Sequence, residues 1–399
     1  MSAFGSSAEP PYGRVCLTAR IRPIPPAEYD AAVIGLGVMG GAALYQLARR
    51  GAKVCGFDVH EPPHALGSSH GRLRVIRKAY FEHPDYIPLL DRAYAGWREL
   101  EADCGATLFV EHGMILAGPH DAETIAGLDL CYSKHDLPHE RLTAAEARAR
   151  FPQFAIPDKW RAYYDPISGY VHVERAVAQQ LDMARRHGAE MRCGVRAMWT
   201  HGPQGVAITA GGETFLARKV VLAPGPWAPE LMGDVNVPLR VLRKVQLWYD
   251  APAENFQPSQ FPLFFIEHPY GQFYGFPSID GAGLKVAQHS GGAEVKGPGD
   301  VARDLLPGDE EPVLRFIGDT FRGLSPRRKD FSVCLYTMTP DGHFLLGPHP
   351  RQPNAYIAAG FSGHGFKFAP VVGEAIADWV LAGRTNLPVD FLSPQRFRS

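Results

Sequence analysis

A glycine-rich segment near residue 35 has the residue types and the spacing of a turn that binds a dinucleotide. Gly35, Gly37 and Gly40 form a GxGxxG pattern, and Asp58 follows 58 − 35 = 23 positions after the first glycine. The first glycine permits a tight turn, the second lets the backbone approach a pyrophosphate, and the third lets a helix pack closely on a sheet. A carboxylate at Asp58 can accept hydrogen bonds from ribose hydroxyls. The pattern predicts a dinucleotide site and does not separate FAD from NAD.

A cluster of basic residues follows this segment. Arg72, Arg74, Arg77 and Lys78 lie within seven consecutive positions. Guanidinium groups pair with carboxylates and phosphates in a planar fork, whereas a lysine supplies a point charge. Taken alone, the cluster is as typical of a solvated surface or of phosphate contacts as of a substrate site.

The cysteines do not form a recognisable metal or redox motif. They are Cys16, Cys55, Cys104, Cys131, Cys193 and Cys334. No two have the CxxC spacing, so neither a zinc site nor a redox pair is predicted. Scattered thiols in a chain of this size fit a reducing compartment, and we expect a cytoplasmic protein without a metal.

The composition limits the class of protein in which these residues work. A chain of 399 residues is long enough for about two domains. Its formal net charge of −1 argues against a nucleic-acid partner. No apolar run approaches about 18 residues, so no membrane span is predicted. Residues 1–28 are rich in proline and lack the apolar core of a signal peptide, so we expect an extended or disordered arm.

The elements that position the glycine pattern form the start of a βαβ unit. The pattern lies between a predicted strand, residues 29–34, and a predicted helix, residues 41–50. A second predicted strand, residues 53–57, ends at Asp58. The helix N-terminus then faces the phosphates with free N–H groups. The apolar run 219–223 predicts a parallel strand that returns to the same sheet.

Hydrophobic periodicity and turn residues predict the other elements. The predicted helices are residues 85–104, 174–187 and 370–381. The predicted strands of the later region include residues 241–248, 263–267, 272–276 and 284–289.

Together these elements predict a mixed α/β (α+β) protein with two domains. The first is a discontinuous, Rossmann-like cofactor domain, assigned to residues 29–110, 171–236 and 330–399. The second is an inserted substrate domain with an antiparallel or mixed sheet, assigned to residues 111–170 and 237–329.

Four segments of the chain resemble the monomeric sarcosine oxidase family, which includes N-methyltryptophan and pipecolate oxidases. They occur in the family's order, from about residue 30 to the C-terminus. The segments are PPHALGSSHGRLRVIRKAY (62–80), YGFPS followed by GLK (274–285), CLYT (334–337) and GFSGHGFKF (360–368).

The resemblance implies that the cofactor domain binds FAD covalently. Cys334 matches the cysteine that forms a thioether with the flavin ring, where a base and a nearby positive charge favour the thiolate. Without its flanking motif, Cys334 would be interpreted as a buried core cysteine. The residues that the resemblance places against FAD are Gly35, Gly37, Gly40, Asp58, Arg74, Val195, Cys334, Gly365 and Lys367.

The resemblance also assigns residues to the substrate. Arg77 and Lys367 match partners of the substrate carboxylate. Because two cations at one anion site repel each other when the site is empty, we expect simple carboxylates such as acetate to bind there. Tyr274, His289 and His364 match polar residues on the substrate side of the flavin.

Lys285 matches a lysine over the opposite face of the flavin, which the family uses to activate oxygen. A cation there stabilises developing superoxide. The predicted catalytic residues are Lys285, Arg74, Tyr274 and His289.

The implied reaction is the oxidation of a secondary amino acid, for which sarcosine is the favoured substrate. Sarcosine, O2 and water would give glycine, formaldehyde and hydrogen peroxide. The amine binds in its neutral form, and a hydride equivalent passes from the carbon beside nitrogen to the flavin. The imine product then hydrolyses. The family favours a monomer whose partners are the small amino acid and O2.

Other functions remain compatible with the sequence. The substrate could be N-methyltryptophan or pipecolate, since each has a carboxylate and a secondary amine. A flavin dehydrogenase that uses a protein electron acceptor and a catalytically silent FAD-binding protein are further alternatives. An NAD-dependent dehydrogenase leaves the motifs of Cys334 and Lys367 unexplained.

Overall fold

The structure is a computed structural model and describes residues 27–202 and 205–397 of the chain. Most of the predicted N-terminal arm, residues 1–26, lies outside the described residues.

The described residues form strands and helices in alternation along the chain. The strands are β1 (Tyr29–Ile34), β2 (Val54–Phe57), β3 (Leu73–Ile76), β4 (Phe109–Glu111), β5 (Met114–Pro119), β6 (Glu140–Thr143), β7 (Trp160–Asp165), β8 (Gly169–His172), β9 (Glu190–Arg192), β10 (Ala197–Gly202), β11 (Gly205–Ala210), β12 (Glu213–Leu222), β13 (Arg240–Asp250), β14 (Leu263–His268), β15 (Gly271–Phe276), β16 (Leu284–Gln288), β17 (Ala293–Val295), β18 (Arg327–Met338), β19 (Leu345–Pro348) and β20 (Ala355–Ala359). The α-helices are α1 (Val38–Arg49), α2 (Ile87–Cys104), α3 (Glu123–Lys134), α4 (Ala144–Arg150), α5 (Val173–Arg186), α6 (Ala228–Leu231), α7 (Ala253–Phe256), α8 (Glu311–Thr320) and α9 (Ala369–Ala382).

A sheet with a parallel core carries the glycine pattern. Its parallel strands follow the order β9, β2, β1, β12 and β20, and the β10–β11 hairpin and β19 are antiparallel additions. Ile34 is level with Phe57 on one side and with Leu222 on the other. The residues that follow these three strands therefore emerge together at one edge. The parallel strand predicted from residues 219–223 is confirmed.

Helices cover this sheet and hold the turn in place. The helix α1 packs against α5 and α9, and α2 packs against α9. All residues of α1 from Val38 to Ala48 are buried. The helix can pack this closely because the four residues from Gly40 to Ala43 are all glycine or alanine and have small side chains. The predicted helices at 85–104, 174–187 and 370–381 correspond to α2, α5 and α9.

A second, mixed sheet contributes residues to the same cavity as the first. Its order is β17, β13, β16, β15, β14, β5, β7 and β6, and only β5 and β14 are parallel neighbours. The strand β18 pairs along the whole length of β13. Cys334 therefore stands on this second sheet, although the predicted division assigned it to the cofactor domain. The predicted fold class is confirmed, while the domain division stays a prediction.

A small third sheet, with the order β3, β8 and β4, lies beside the other two. Its strand β3 was not predicted from the sequence. It carries Arg74 at its second position.

Candidate active site

One elongated cavity connects the glycine turn with the second sheet. Its empty space is about 1890 Å³, a volume that includes space open to solvent. All predicted site residues except Gly40 and Lys285 line it. They are Gly35, Gly37, Asp58, Arg74, Arg77, Val195, Tyr274, His289, Cys334, His364, Gly365 and Lys367.

The glycine turn has a geometry that only glycine permits at two positions. Gly35 has a φ of +91°, and an added Cβ would lie 2.3 Å from the carbonyl oxygen of Ala223. A Cβ on Gly40 would lie 1.7 Å from the carbonyl oxygen of Gly35. Gly40 thus packs helix α1 against the turn, which explains why it does not line the cavity.

Asp58 is held as a buried carboxylate beside the N-terminus of α1. Its two oxygens accept hydrogen bonds from the N–H groups of Leu36 at 2.7 Å and His60 at 2.9 Å. Burial raises the pKa of Asp58, but hydrogen bonds from His64 and from the backbone outweigh burial and lower it. No acidic residue lies in the first turn of α1. An ionised acid beside an uncompensated helix N-terminus fits the ribose and pyrophosphate of FAD.

Arg74 contacts the sulfur of Cys334 at the other end of the cavity. Its Nη2 atom lies 3.3 Å from Sγ and 3.1 Å from the carbonyl oxygen of Ser68. Burial lowers the pKa of Arg74, whereas Cys334 raises it, and the net shift is upward. The guanidinium is therefore a permanent positive charge at the sulfur.

Tyr336 is a cavity residue that the sequence analysis did not single out. It lies two positions after Cys334 on β18, so its side chain points to the same face of the strand. Its hydroxyl is 3.4 Å from Nδ1 of His289. The period of two residues along a strand was the signal that could have found it.

The wall around Tyr336 is polar and uncharged. Burial lowers the pKa of His289 to about 3, with Lys244 as a second cause, so the imidazole is neutral near pH 7. Burial raises the pKa of Tyr274, and it raises the pKa of Tyr336 well above its ordinary value. Three neutral rings thus supply hydrogen-bonding groups without a net charge.

Arg77 is paired with an acid of the protein, a partner that the sequence did not indicate, and the pairing offsets part of its repulsion of Lys367. Its Nη2 atom lies 2.6 and 2.8 Å from the two oxygens of Glu82, and Nη1 donates to the carbonyl oxygen of Ala79 at 2.7 Å. Burial raises the pKa of Glu82, but the nearby cations, Arg77 first, outweigh burial and lower this pKa to about 2. Glu82 was missed because an acid five residues after an arginine has no distinctive pattern. The buried pair leaves Lys367 as the nearby cation without a carboxylate partner among the described residues.

Lys367 and His364 lie on the segment that precedes α9. The Nζ atom of Lys367 donates to the carbonyl oxygen of His364 at 2.7 Å, which leaves two of its three N–H groups for another acceptor. Burial and then Arg77 lower the pKa of Lys367 to about 7, against the opposite effect of Glu82. The ammonium is consequently about half protonated near neutral pH.

Both ring nitrogens of His364 already have partners. Its Nε2 atom is 2.9 Å from the carbonyl oxygen of Gly342, and Nδ1 is 2.5 Å from the hydroxyl of Tyr80. A carbonyl can only accept, so Nε2 carries the proton and Nδ1 accepts from Tyr80. His364 lines the cavity as predicted, but it is a partner of Tyr80 and not an open ligand for a substrate.

Lys285 lines a second, separate cavity. Its Nζ atom donates to the carbonyl oxygens of Gly71 at 2.7 Å and Leu73 at 3.1 Å. Nη1 of Arg74 donates to the same Leu73 oxygen at 3.1 Å. Burial lowers the pKa of Lys285 well below its ordinary value, and Arg74 lowers it further. Lys285 thus reaches the backbone that carries Arg74, and its role towards the cofactor stays a prediction.

Within residues 27–202 and 205–397, no helix is long and apolar enough to cross a bilayer. No group of three or more His, Cys, Asp or Glu side chains in these ranges is arranged to hold a metal ion.

Comparisons with known proteins cover nearly the whole chain. A profile of the family described as FAD dependent oxidoreductase matches residues 30–379. The chain is 39% identical over 376 residues to the monomeric sarcosine oxidase of Streptomyces avermitilis, covering 92% of this chain and 97% of the relative. It is 35% identical over 373 residues to the N-methyl-L-tryptophan oxidase of Salmonella arizonae, covering 89% and 95%. The solved open form of NikD, an unusual amino acid oxidase, matches with a TM-score of 0.81 at 24% identity, covering 92% and 97%.

Proposed function

Because the chain belongs to the family of FAD dependent oxidoreductases, we propose that it oxidises sarcosine with FAD bound covalently at Cys334. The reaction is sarcosine + O2 + H2O → glycine + formaldehyde + H2O2. Bound FAD supplies the two-electron redox chemistry. The observation that carries the proposal is one cavity lined by a lysine with free N–H groups, three neutral polar rings, and a cysteine beside an arginine.

The relatives support an N-methyl amino acid as substrate. The more similar of the two cited relatives is named for sarcosine and the other for N-methyl-L-tryptophan. Both substrates have a carboxylate and a methylated secondary amine. The name of the first relative also favours a monomer, which we include in the proposal.

Lys367 binds the substrate carboxylate through its two free N–H groups. Arg77 joins it when Glu82 yields one of the two Nη2 contacts, since an arginine can share its donors between two carboxylates. Each charge-assisted hydrogen bond contributes about 1.5–3 kcal/mol.

The neutral wall keeps the bound amine unprotonated. A nearby carboxylate would favour the ammonium form, but the only carboxylate among the described lining residues on this side, Glu82, is neutralised by Arg77. The cations Arg74, Arg77 and Lys367 instead disfavour a positive charge on the amine. His289 and Tyr336 offer hydrogen bonds that orient its nitrogen.

Cys334 forms the link to the cofactor. Its sulfur makes a C–S bond to a ring methyl carbon of the flavin as one S–H and one C–H bond break. The two protons and two electrons that are released pass to O2, which the oxidase reaction already uses, and give H2O2. Arg74 assists by holding the sulfur through its Nη2 contact.

Lys285 promotes the reaction with O2 from the opposite side of the Gly71–Leu73 backbone. A protonated Nζ stabilises negative charge that develops on oxygen. Two carbonyl oxygens hold the ammonium in place.

A peroxide assay with a panel of amines tests the function. Purified protein is mixed in air with sarcosine, N-methyl-L-tryptophan, pipecolate and dimethylamine, and hydrogen peroxide is measured. We expect the highest kcat/KM with sarcosine and little turnover of dimethylamine, which lacks a carboxylate. Bleaching of the flavin without peroxide in air would point to a dehydrogenase, and no bleaching by any amine would reject the oxidase.

A further inference from the structure

A buried lysine outside the predicted site is bound to the segment that carries His289. Lys244 lies on β13, and its side chain is 5% exposed. Its Nζ atom donates to three successive carbonyl oxygens, those of His289 at 2.9 Å, Ser290 at 2.7 Å and Gly291 at 3.0 Å. An ammonium has three N–H groups, so all of its donors are used on this one turn.

Few other contacts fix the turn. His289 is the first residue after β16, and two glycines with positive φ, Gly291 at +65° and Gly292 at +109°, follow it closely. Gln272 anchors the start of the turn, because its carbonyl oxygen accepts from the N–H group of His289 at 2.7 Å and its N–H group donates to the Ser290 hydroxyl at 2.9 Å. Lys244 is the side chain that binds the carbonyl groups of the next two residues.

The same ammonium lies next to the cavity wall. Lys244 is level with Cys334 in the pairing of β13 with β18. Its Nζ atom lies 5.3 Å from the centre of the Tyr336 ring. The titratable groups that face Lys244 among the described residues are Cys334 and Tyr336 on β18 and His289 after β16. Lys244 does not line the cavity, but it lies beside three residues that do, His289, Tyr336 and Cys334.

We propose that Lys244 is a positioning residue for amine oxidation, because its ammonium fixes the 289–291 turn and so holds the His289 imidazole against Tyr336. This inference rests on the proposed function, in which His289 and Tyr336 orient the amine. A shift of about 1 Å in such a group costs about 10²-fold in rate. The hydrogen bonds of Cys334 and Lys285 go to other segments, so we expect the covalent link and the reaction with O2 to depend little on this turn.

The charge of Lys244 is essential to the arrangement. A neutral amine has only two N–H groups and directs a lone pair at the third carbonyl oxygen. Burial lowers the pKa of Lys244 to about 8, although Cys334 raises it in part. The ammonium is present below that pH and is lost above it, so the turn loosens as the pH rises.

Three variants of the holoenzyme separate positioning from a general structural role. Lys244→Met removes the charge, and Lys244→Arg keeps it. Lys219→Met is the matched control, because Lys219 also donates to carbonyl oxygens, those of Trp379 and Val380, and none of these three residues lines the cavity. Rapid mixing without O2 measures flavin reduction by sarcosine, and rapid mixing of the reduced protein with O2 measures reoxidation.

We expect Lys244→Met to slow flavin reduction at saturating sarcosine about 10²-fold and to leave reoxidation and flavin retention within about twofold. Lys244→Arg should recover much of the rate, and its decline above pH 8 should move to higher pH. Lys219→Met should leave both half-reactions unchanged. Equal losses in both half-reactions, or reduction as fast as in Lys219→Met, would overturn the proposal.

A second readout does not require any substrate. In spectra of ¹⁵N-labelled histidine, the His289 signals are those that disappear in His289→Asn. We expect them to broaden or shift in Lys244→Met and to stay in place in Lys219→Met. Unchanged His289 signals would reject the positioning role even if Lys244→Met folds poorly enough to lose activity. If wild-type protein is not reduced by any amine but the signals respond, the proposed function fails and the positioning of His289 stands.

Discussion

Both carboxylate oxygens of Glu82 accept from the same nitrogen of Arg77, with Nη2 at 2.6 and 2.8 Å from them. The Arg77 side chain is 4% exposed, and both residues line the cavity. If Arg77 binds the substrate carboxylate as proposed, Glu82 and the substrate compete for one guanidinium.

Glu82→Gln should therefore tighten the binding of acetate. Removal of the competing carboxylate frees Arg77, and one added charge-assisted contact strengthens binding by about ten- to a hundredfold. Titration of the flavin absorbance measures the Kd. Glu99→Gln is the control, because Glu99 pairs with Arg92 outside the cavity. Weaker acetate binding in Glu82→Gln than in the control would show that Glu82 supports the site and does not compete for it.

Glu82→Gln should also lower stability in the absence of a ligand. Removal of one partner of a buried ion pair leaves an uncompensated charge and costs about 3–5 kcal/mol. Acetate should restore part of this loss, since its carboxylate replaces the missing partner. Thermal unfolding of wild type and variant with and without acetate tests this, and an equal rise in Tm for both proteins would contradict it.

Carboxylate binding should weaken as the pH rises through about 7. Burial lowers the pKa of Lys367 to about 7, and only the protonated form, which prevails below that pH, attracts an anion. The Kd of acetate should be nearly constant between about pH 5 and 6, where acetate is ionised, and then rise by up to about tenfold per pH unit. Lys367→Met should bind acetate weakly with a flat profile. A profile in Lys367→Met that still bends near pH 7 would assign the titration to another group.

Denatured protein should retain its yellow colour if Cys334 forms the thioether. We expect flavin to remain with the chain after acid precipitation of wild type and to enter the supernatant from Cys334→Ser. Arg74→Lys should retain less flavin, because the contact between Nη2 and Sγ is lost. Cys131→Ser, which changes another buried thiol, is the control. A colourless wild-type precipitate would end the covalent proposal.

Lys285→Met should affect the reaction with O2 and spare the reaction with the amine. Loss of one stabilising charge costs about 10²–10³-fold in rate by analogy with oxyanion stabilisation. Because the lowered pKa of Lys285 makes the ammonium scarce at high pH, wild-type reoxidation should slow as the pH rises. Stopped-flow traces at several pH values measure both steps. Equal reoxidation in variant and wild type would remove Lys285 from this role.

The nucleotide end of the site could be predicted from the sequence because its determinants are local. Gly35 and Gly40 act on a turn within their own segment, and Asp58 ends the next strand, so the spacing alone contains the geometry. The position of Cys334 required a resemblance, since a buried cysteine in a strand has no distinctive local pattern. The presence of Tyr336 at the site could have been predicted from that of Cys334, because residues two apart on a strand share a face.

Other residues could not be predicted because their roles depend on distant parts of the chain. Lys244 has the sequence context of an edge lysine, and its burial depends on a turn 289 − 244 = 45 residues away. The ion pair between Arg77 and Glu82 depends on how the backbone folds after β3. Lys285 lies on the second sheet and Leu73 on the third, so their contact depends on how these two sheets pack.

Cys334 lies on the second sheet and Gly35 follows a strand of the first, and this placement bears on the order of folding and flavin attachment. If Cys334 forms the proposed thioether, a cofactor that contacts both residues can be cross-linked only after the two sheets have met, since neither sheet alone has both the nucleotide turn and the thiol. Permanent colour would then mark chains that have completed assembly. A chain that stalls earlier would bind the nucleotide reversibly and lose it on dilution.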